Sequence, residues 1–104
     1  MPPAAVNGMP RCSGMIARKF IISGEVQGVG YRFFAQRAAA RHQIRGYITN
    51  LKDGRVEALI EGRESAVHAF RLDLAAGPTN SKVGEIEELV LEPSGLYSAF
   101  RIER

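Results

Sequence analysis

Three glycines within seven positions, Gly24, Gly28 and Gly30, interrupt this chain where a short apolar strand, Phe20 to Ser23, gives way to a helix-forming segment beginning near Arg32. Glycine accepts left-handed backbone conformations that other residues resist, so successive N–H groups in such a stretch can turn toward one point. That point would lie at a helix N-terminus, where the macrodipole and unpaired N–H groups favour an anion. Arg32 adds a planar, permanently charged fork that matches phosphate oxygens. The stretch Gly24–Arg32 therefore reads as an oxyanion cradle with phosphate as its occupant. Its spacing, G-x-x-x-G-x-G, is neither the dinucleotide fingerprint nor the nucleotide-binding loop that ends in G-K-[ST]. A plain glycine-rich turn with a solvated Arg32 is the competing reading.

Length confines the chain to one domain, since 104 residues suffice for a single core but not for two. Charged residues make up 24% and hydrophobic ones 45%, which is globular composition. The net charge of +3 comes from mixed signs spread along the sequence. No block of like charge signals a nucleic-acid tail. One cysteine, Cys12, excludes an internal disulfide and fits a reducing compartment. No apolar run approaches a membrane span and no secretory signal is evident, so a cytoplasmic location is expected. Residues 1–14, rich in Pro, Gly and small side chains, are expected to form a flexible tail before a domain over 15–104.

Periodicity then orders the elements. Ile16 to Ser23 alternates as a strand with Phe20 and Ile22 toward the core. From Arg32 to Gln43, with Tyr31 leading in, an apolar stripe of Tyr31, Phe34, Ala35, Ala38, Ala39 and His42 marks an amphipathic helix. Phe33 falls off that stripe, beside Arg32, either lining the rim of the anion pocket or standing as a single exposed aromatic. Ile44 to Leu51 forms a second strand, and Lys52-Asp53-Gly54 turns the chain into a third, Val56 to Gly62. A second helix spans Glu64 to Ala76, burying Val67, Phe70 and Leu74, and Gly77-Pro78 stops it. Strands within Val83 to Leu91 and from Tyr97 to Ile102 complete the chain. The order β-α-β-β-α-β plus a closing strand is the ferredoxin-like split β-α-β plan. Its fold class is α+β, two helices on one face of a mostly antiparallel sheet.

Period two also puts Asn50 on the helix-covered face with Ile48, at the end of its strand. A buried amide needs partners or water. It could serve a ligand, or simply cap the turn at Lys52-Asp53-Gly54.

Taken together, Val26-Gln27-Gly28-Val29-Gly30-Tyr31-Arg32, Gly46-Tyr47-Ile48-Thr49-Asn50 and Asp53-Gly54-Arg55-Val56-Glu57 resemble the acylphosphatase family. Gly77-Pro78 and Phe100-Arg101-Ile102 fit it as well, and the resemblance spans residues 16–104. It implies a hydrolase that splits acyl phosphates into a carboxylate and inorganic phosphate, without metal or organic cofactor. Carried over by motif position, phosphate binding falls on the backbone amides of Gln27, Gly28, Val29, Gly30, Tyr31 and Arg32. The Arg32 side chain shares that task, and Asn50 orients the attacking water. Inorganic phosphate is then both product and competitive ligand, and the domain is expected to act as a monomer.

Two departures stand out. Arg41-His42-Gln43 replaces a glycine frequent after the first helix, and Tyr47 stands where tryptophan is common. Neither touches Arg32 or Asn50.

The residue chemistry agrees with that implication. An acyl phosphate has a good leaving group, so a protein mainly has to position groups and stabilise charge. Nothing near these segments resembles an activated nucleophile, which argues against a covalent intermediate. Three other readings are weaker. An acylphosphatase-like domain within a carbamoyl-transferring hydrogenase maturation factor would come with zinc motifs, and a standalone enzyme is expected instead. An RNA-recognition module would need stacking aromatics on the open sheet face, where the third strand offers Glu57, Leu59 and Glu61. His42 and His68 lie on different helices, and no metal-ligand spacing joins them. Glu85, Glu87 and Glu88 read as a solvated strand face.

Overall fold

Alternating apolar residues and two amphipathic stripes condense into a single sheet backed by two helices. The computed structural model describes residues 14–28 and 30–103. The elements are β1 (Met15–Glu25), α1 (Tyr31–His42), β2 (Arg45–Asn50), β3 (Val56–Arg63), α2 (Glu64–Ala76), β4 (Lys82–Leu91) and β5 (Phe100–Glu103). Strand order across the sheet is β4-β1-β3-β2-β5. β1 runs antiparallel to both β3 and β4, β2 runs antiparallel to β3, and β5 pairs with β2 in parallel. The α+β, ferredoxin-like plan therefore holds, with a mixed five-stranded sheet. The expected tail falls on residues 1–13, outside the described residues, apart from Gly14. No described helix is long and apolar enough to cross a membrane.

Even-numbered strand residues face the helices. Phe20 and Ile22 on β1, Ile48 on β2, and Val56, Ala58 and Ile60 on β3 are fully buried there, against Phe70 and Leu74 of α2. α1 meets this layer through Ala35, Ala38 and Ala39, whose small side chains allow a helix to approach the sheet closely. The ring of Phe70 packs edge-on against Phe100, centroids 5.7 Å apart, which docks β5 under the second helix. The helices are tied by the Tyr31 hydroxyl, which donates to the Leu74 carbonyl at 2.7 Å. At the other end of α1, Arg41 and His42 both reach Asp73 Oδ2, at 3.1 and 2.9 Å. Burial pushes the Tyr31 hydroxyl pKa up, so this bond keeps its proton through the physiological range.

The structure corrects two expectations and refines a third. The closing strand begins at Phe100 rather than Tyr97. Residues 92–99 instead leave β4 and cross the sheet face opposite the helices. There the Glu61 carboxylate, buried at 5% exposure, accepts hydrogen bonds from Ser94 N–H at 2.8 Å, Ser94 Oγ at 2.7 Å and Gly95 N–H at 3.0 Å. That face is therefore partly covered, and Ala17, at 1% exposure, is buried on it. Finally, Glu88 is exposed as expected but is not unpaired: it turns to the helix side and accepts from Arg18 Nε at 3.2 Å and Arg71 Nε at 3.1 Å. Glu85 and Glu87 are exposed as expected.

Candidate active site

The glycine stretch forms an irregular segment between β1 and α1. Gly24 sits at a bulge where the pairing with β4 shifts register, so close to the Lys82 carbonyl that no Cβ would fit. Gly28 (φ 76°) and Gly30 (φ 76°, ψ 18°) take left-handed conformations, which cost any residue with a Cβ about 1–2 kcal/mol. Here close packing is not the reason for glycine. A Cβ built at either position would meet nothing within 4 Å, so this side of the loop is open. Val29 lies outside the described residues.

Gly30 is also the N-cap of α1, and with no side chain it supplies no capping hydrogen bond. The first intrahelical bond runs from Phe34 N–H to the Gly30 carbonyl at 3.0 Å. The N–H groups of Tyr31, Arg32 and Phe33 therefore precede any intrahelical partner. α1 also carries no acidic residue in its first turn. Positive partial charge at the helix start is left uncompensated, an arrangement suited to an anion. The Tyr31 side chain points into the core, so only its backbone can serve such a site. Phe33, in the first turn of α1 beside Arg32, is 65% exposed.

Asn50 stands at the last position of β2, paired with Val56. Its Oδ1 atom is buried and has no hydrogen-bond partner among the described residues. The turn-capping alternative does not describe this atom, because the turn is closed by other groups. Leu51 N–H donates to the Arg55 carbonyl at 2.8 Å and Gly54 N–H to the Leu51 carbonyl at 3.2 Å. Asp53 Oδ1 and Oδ2 accept from Arg55 N–H and Nε, at 3.1 and 2.8 Å. Those bonds hold the Asp53 carboxyl below its usual range.

Two links bring the loop and this strand end together. The Gln27 side-chain Nε2 donates to both the Leu51 and Arg55 carbonyls at 2.9 Å. On the far side, Arg32 Nη1 donates to the Glu103 carbonyl at 3.4 Å. Glu103 is the β5 partner of Thr49, the residue before Asn50. The cradle, Arg32 and Asn50 thus share the C-terminal end of β2. Neither link was foreseen from the sequence, which marked Gln27 only for its backbone amide. A motif names residues that recur together, but the direction of a glutamine side chain depends on what the fold places beside it.

Elsewhere on the surface are two grooves, one around His42, Arg45, Arg63 and Phe100, the other around Arg18, His68, Arg71 and Glu88. Neither includes the loop or Asn50. A group the size of phosphate needs a shallow ring of donors rather than a deep cavity. Among the described residues, no cluster of three His, Cys, Asp or Glu side chains could hold a metal ion.

Known proteins resemble this chain in both sequence and fold. Residues 18–102 match the Acylphosphatase family model. The acylphosphatase of Actinobacillus succinogenes is 41% identical over 90 residues, covering 86% of this chain and all of that protein. The crystal structure of acylphosphatase from Bacillus subtilis superposes with a TM-score of 0.83 at 35% identity, over 86% of this chain and 99% of the other. HypF of T. kodakarensis also contains a similar unit. It matches at a TM-score of 0.76 and 36% identity over 86% of this chain, but only 12% of HypF is covered. With the family model matching residues 18–102 and the Actinobacillus relative covered along its full length, this chain belongs to the acylphosphatase family and is an acylphosphatase enzyme.

Proposed function

We propose that the chain hydrolyses the carboxyl–phosphate bond of acyl phosphates through the site at the end of β2, with water as the nucleophile and no covalent intermediate. The amides from Gln27 to Arg32 and the Arg32 guanidinium hold the phosphoryl oxygens, and Asn50 orients the water. One observation carries this reading. An open, uncapped helix N-terminus beside an arginine lies at the same strand end as a buried, unpartnered amide oxygen.

Each role follows from the chemistry of its group. A carboxylate leaves as a weak base and needs no proton, so the barrier lies in gathering charge around phosphorus. Backbone N–H groups and Arg32 stabilise the equatorial oxygens as that charge redistributes. The Asn50 amide is not basic and takes no proton from water. Its Oδ1 accepts a hydrogen bond and so fixes which lone pair of the water faces phosphorus. The water's proton passes to a phosphoryl oxygen of the substrate itself. The new P–O bond forms as the bond to the carboxylate breaks, and inorganic phosphate is left in the cradle as a competitive ligand.

Hydrolysis of benzoyl phosphate by the wild type, Arg32→Ala and Asn50→Ala, with a chelator present, tests this. The wild type should turn over regardless of chelator. Arg32→Ala should lose at least about 10²-fold to 10³-fold, the scale of a lost oxyanion donor, together with phosphate inhibition. Asn50→Ala should lose turnover while phosphate still inhibits. Undiminished rates in both variants would refute the assignment.

A further inference from the structure

We infer that the side chain of Gln27 is a positioning residue, holding the phosphate loop at a set distance from the hairpin that carries Asn50. The inference rests on the reading of the site given above and adds a role for a side chain that takes no part in it. A neutral carboxamide nitrogen has two hydrogens, and both are used here. Nε2 donates to the Leu51 carbonyl, 24 positions away, and to the Arg55 carbonyl, 28 positions away, each at 2.9 Å. Leu51 is bonded directly to Asn50, and Leu51 and Arg55 are the two ends of the turn, joined by the bond between Leu51 N–H and the Arg55 carbonyl at 2.8 Å. The carboxamide therefore grips the hairpin at its neck, one peptide unit from the water-orienting amide.

The need for such a link is geometric. The loop has left-handed glycines at Gly28 and Gly30, and a Cβ built at either would meet nothing within 4 Å. Asn50 belongs to the β2–β3 hairpin. In-line attack requires water and phosphorus to be placed together, and a misplacement of about 1 Å costs on the order of 10²-fold in rate. Van der Waals packing of Val26, which is 1% exposed, fixes the loop's root, but Gln27 fixes its height above the strand end. Loss of its hydrogen bonds should let the two halves of the site drift apart while leaving the amides and Arg32 able to hold phosphate.

The test is a double-mutant cycle of Gln27→Leu and Asn50→Ala, read as kcat, KM and phosphate inhibition, with amide hydrogen exchange at the hairpin. Gln27→Leu, of similar size but without donors, should lower kcat by about 10-fold to 100-fold and speed exchange at Leu51 and Gly54. Phosphate inhibition should change by less than about 3-fold. Placed on Asn50→Ala, it should cost little more, because its effect runs through Asn50. Full additivity, or a kcat unchanged while exchange speeds up, would overturn the positioning role and leave the catalytic reading intact. Wild-type turnover by Asn50→Ala alone would sink the Asn50 assignment and this coupling with it. If Gln27→Leu does not fold, Gln27→Glu takes its place. It sets a carboxylate against the same two carbonyls, and its kcat should recover as acid restores a donor. Absence of that recovery counts against the proposal.

Discussion

Arg32 was legible from the sequence because its charge and its place after the last cradle glycine are local facts. What it needs from the rest of the fold is a fixed direction. One Nη1 hydrogen leans on the Glu103 carbonyl at a long 3.4 Å, and in the proposed site the remaining donors of its fork take phosphoryl oxygens. Lysine keeps the charge but not the planar pair of donors, so it cannot hold the carbonyl and two oxygens in one plane. Arg32→Lys is therefore expected to fold normally by circular dichroism yet lose about 10²-fold in kcat/KM on benzoyl phosphate. A variant within a few-fold of the wild type would show that charge alone suffices. Asn50 was only half legible. Period two placed it on the helix side, but whether its amide capped the turn depended on Asp53, Arg55 and Gln27 taking up that work.

At the level of elements, both helices and most of the strands could be read from apolar periodicity, to within a residue or two at their ends. The end of α1 was less clear, since no glycine follows it. The structure has Gln43 at φ 57°, ψ 43°, a left-handed cap. Its N–H reaches the Ala40 carbonyl at 3.4 Å, and Ile44 N–H reaches that of Ala39 at 2.8 Å. The helix thus ends as it would with glycine, but Gln43 bears the strain of a Cβ in that region. Gln43→Gly should stabilise the protein by roughly 1 kcal/mol, the strain relieved less the added freedom of the unfolded chain. Urea unfolding measures this, and a midpoint that falls would show that the glutamine side chain contributes more than its backbone costs. The exposed Gln43 lies far from the cradle, so kcat should not change.

Across the whole molecule, the Glu61 carboxylate links segments that are distant in sequence, joining residues 92–99 to the sheet face opposite the helices. Burial alone would raise its pKa. The three hydrogen bonds from Ser94 and Gly95, with the positive charge of Arg45 nearby, outweigh burial and hold it below the ordinary 4.5. A carboxyl whose folded pKa is depressed contributes stability above its unfolded pKa and loses it as pH falls through the folded value. Glu61→Gln should therefore cost about 1–3 kcal/mol at neutral pH, and its stability should fall less steeply than that of the wild type below pH 4.5. Parallel unfolding curves for the two proteins through that range would remove Glu61 from the account. Sequence by itself determined what repeats at short range: two helices, the core face of each strand, the turn at Lys52-Asp53-Gly54, and a glycine loop running into Arg32. Those features depend on backbone geometry and burial over a few neighbouring residues. Only the tertiary structure decided that residues 92–99 cross the open face, that Glu88 draws two arginines, and that Gln27 grips the Asn50 hairpin. Each of these is a polar contact between segments far apart in the chain. Their partners are chosen by strand order and register, and no local pattern encodes that choice.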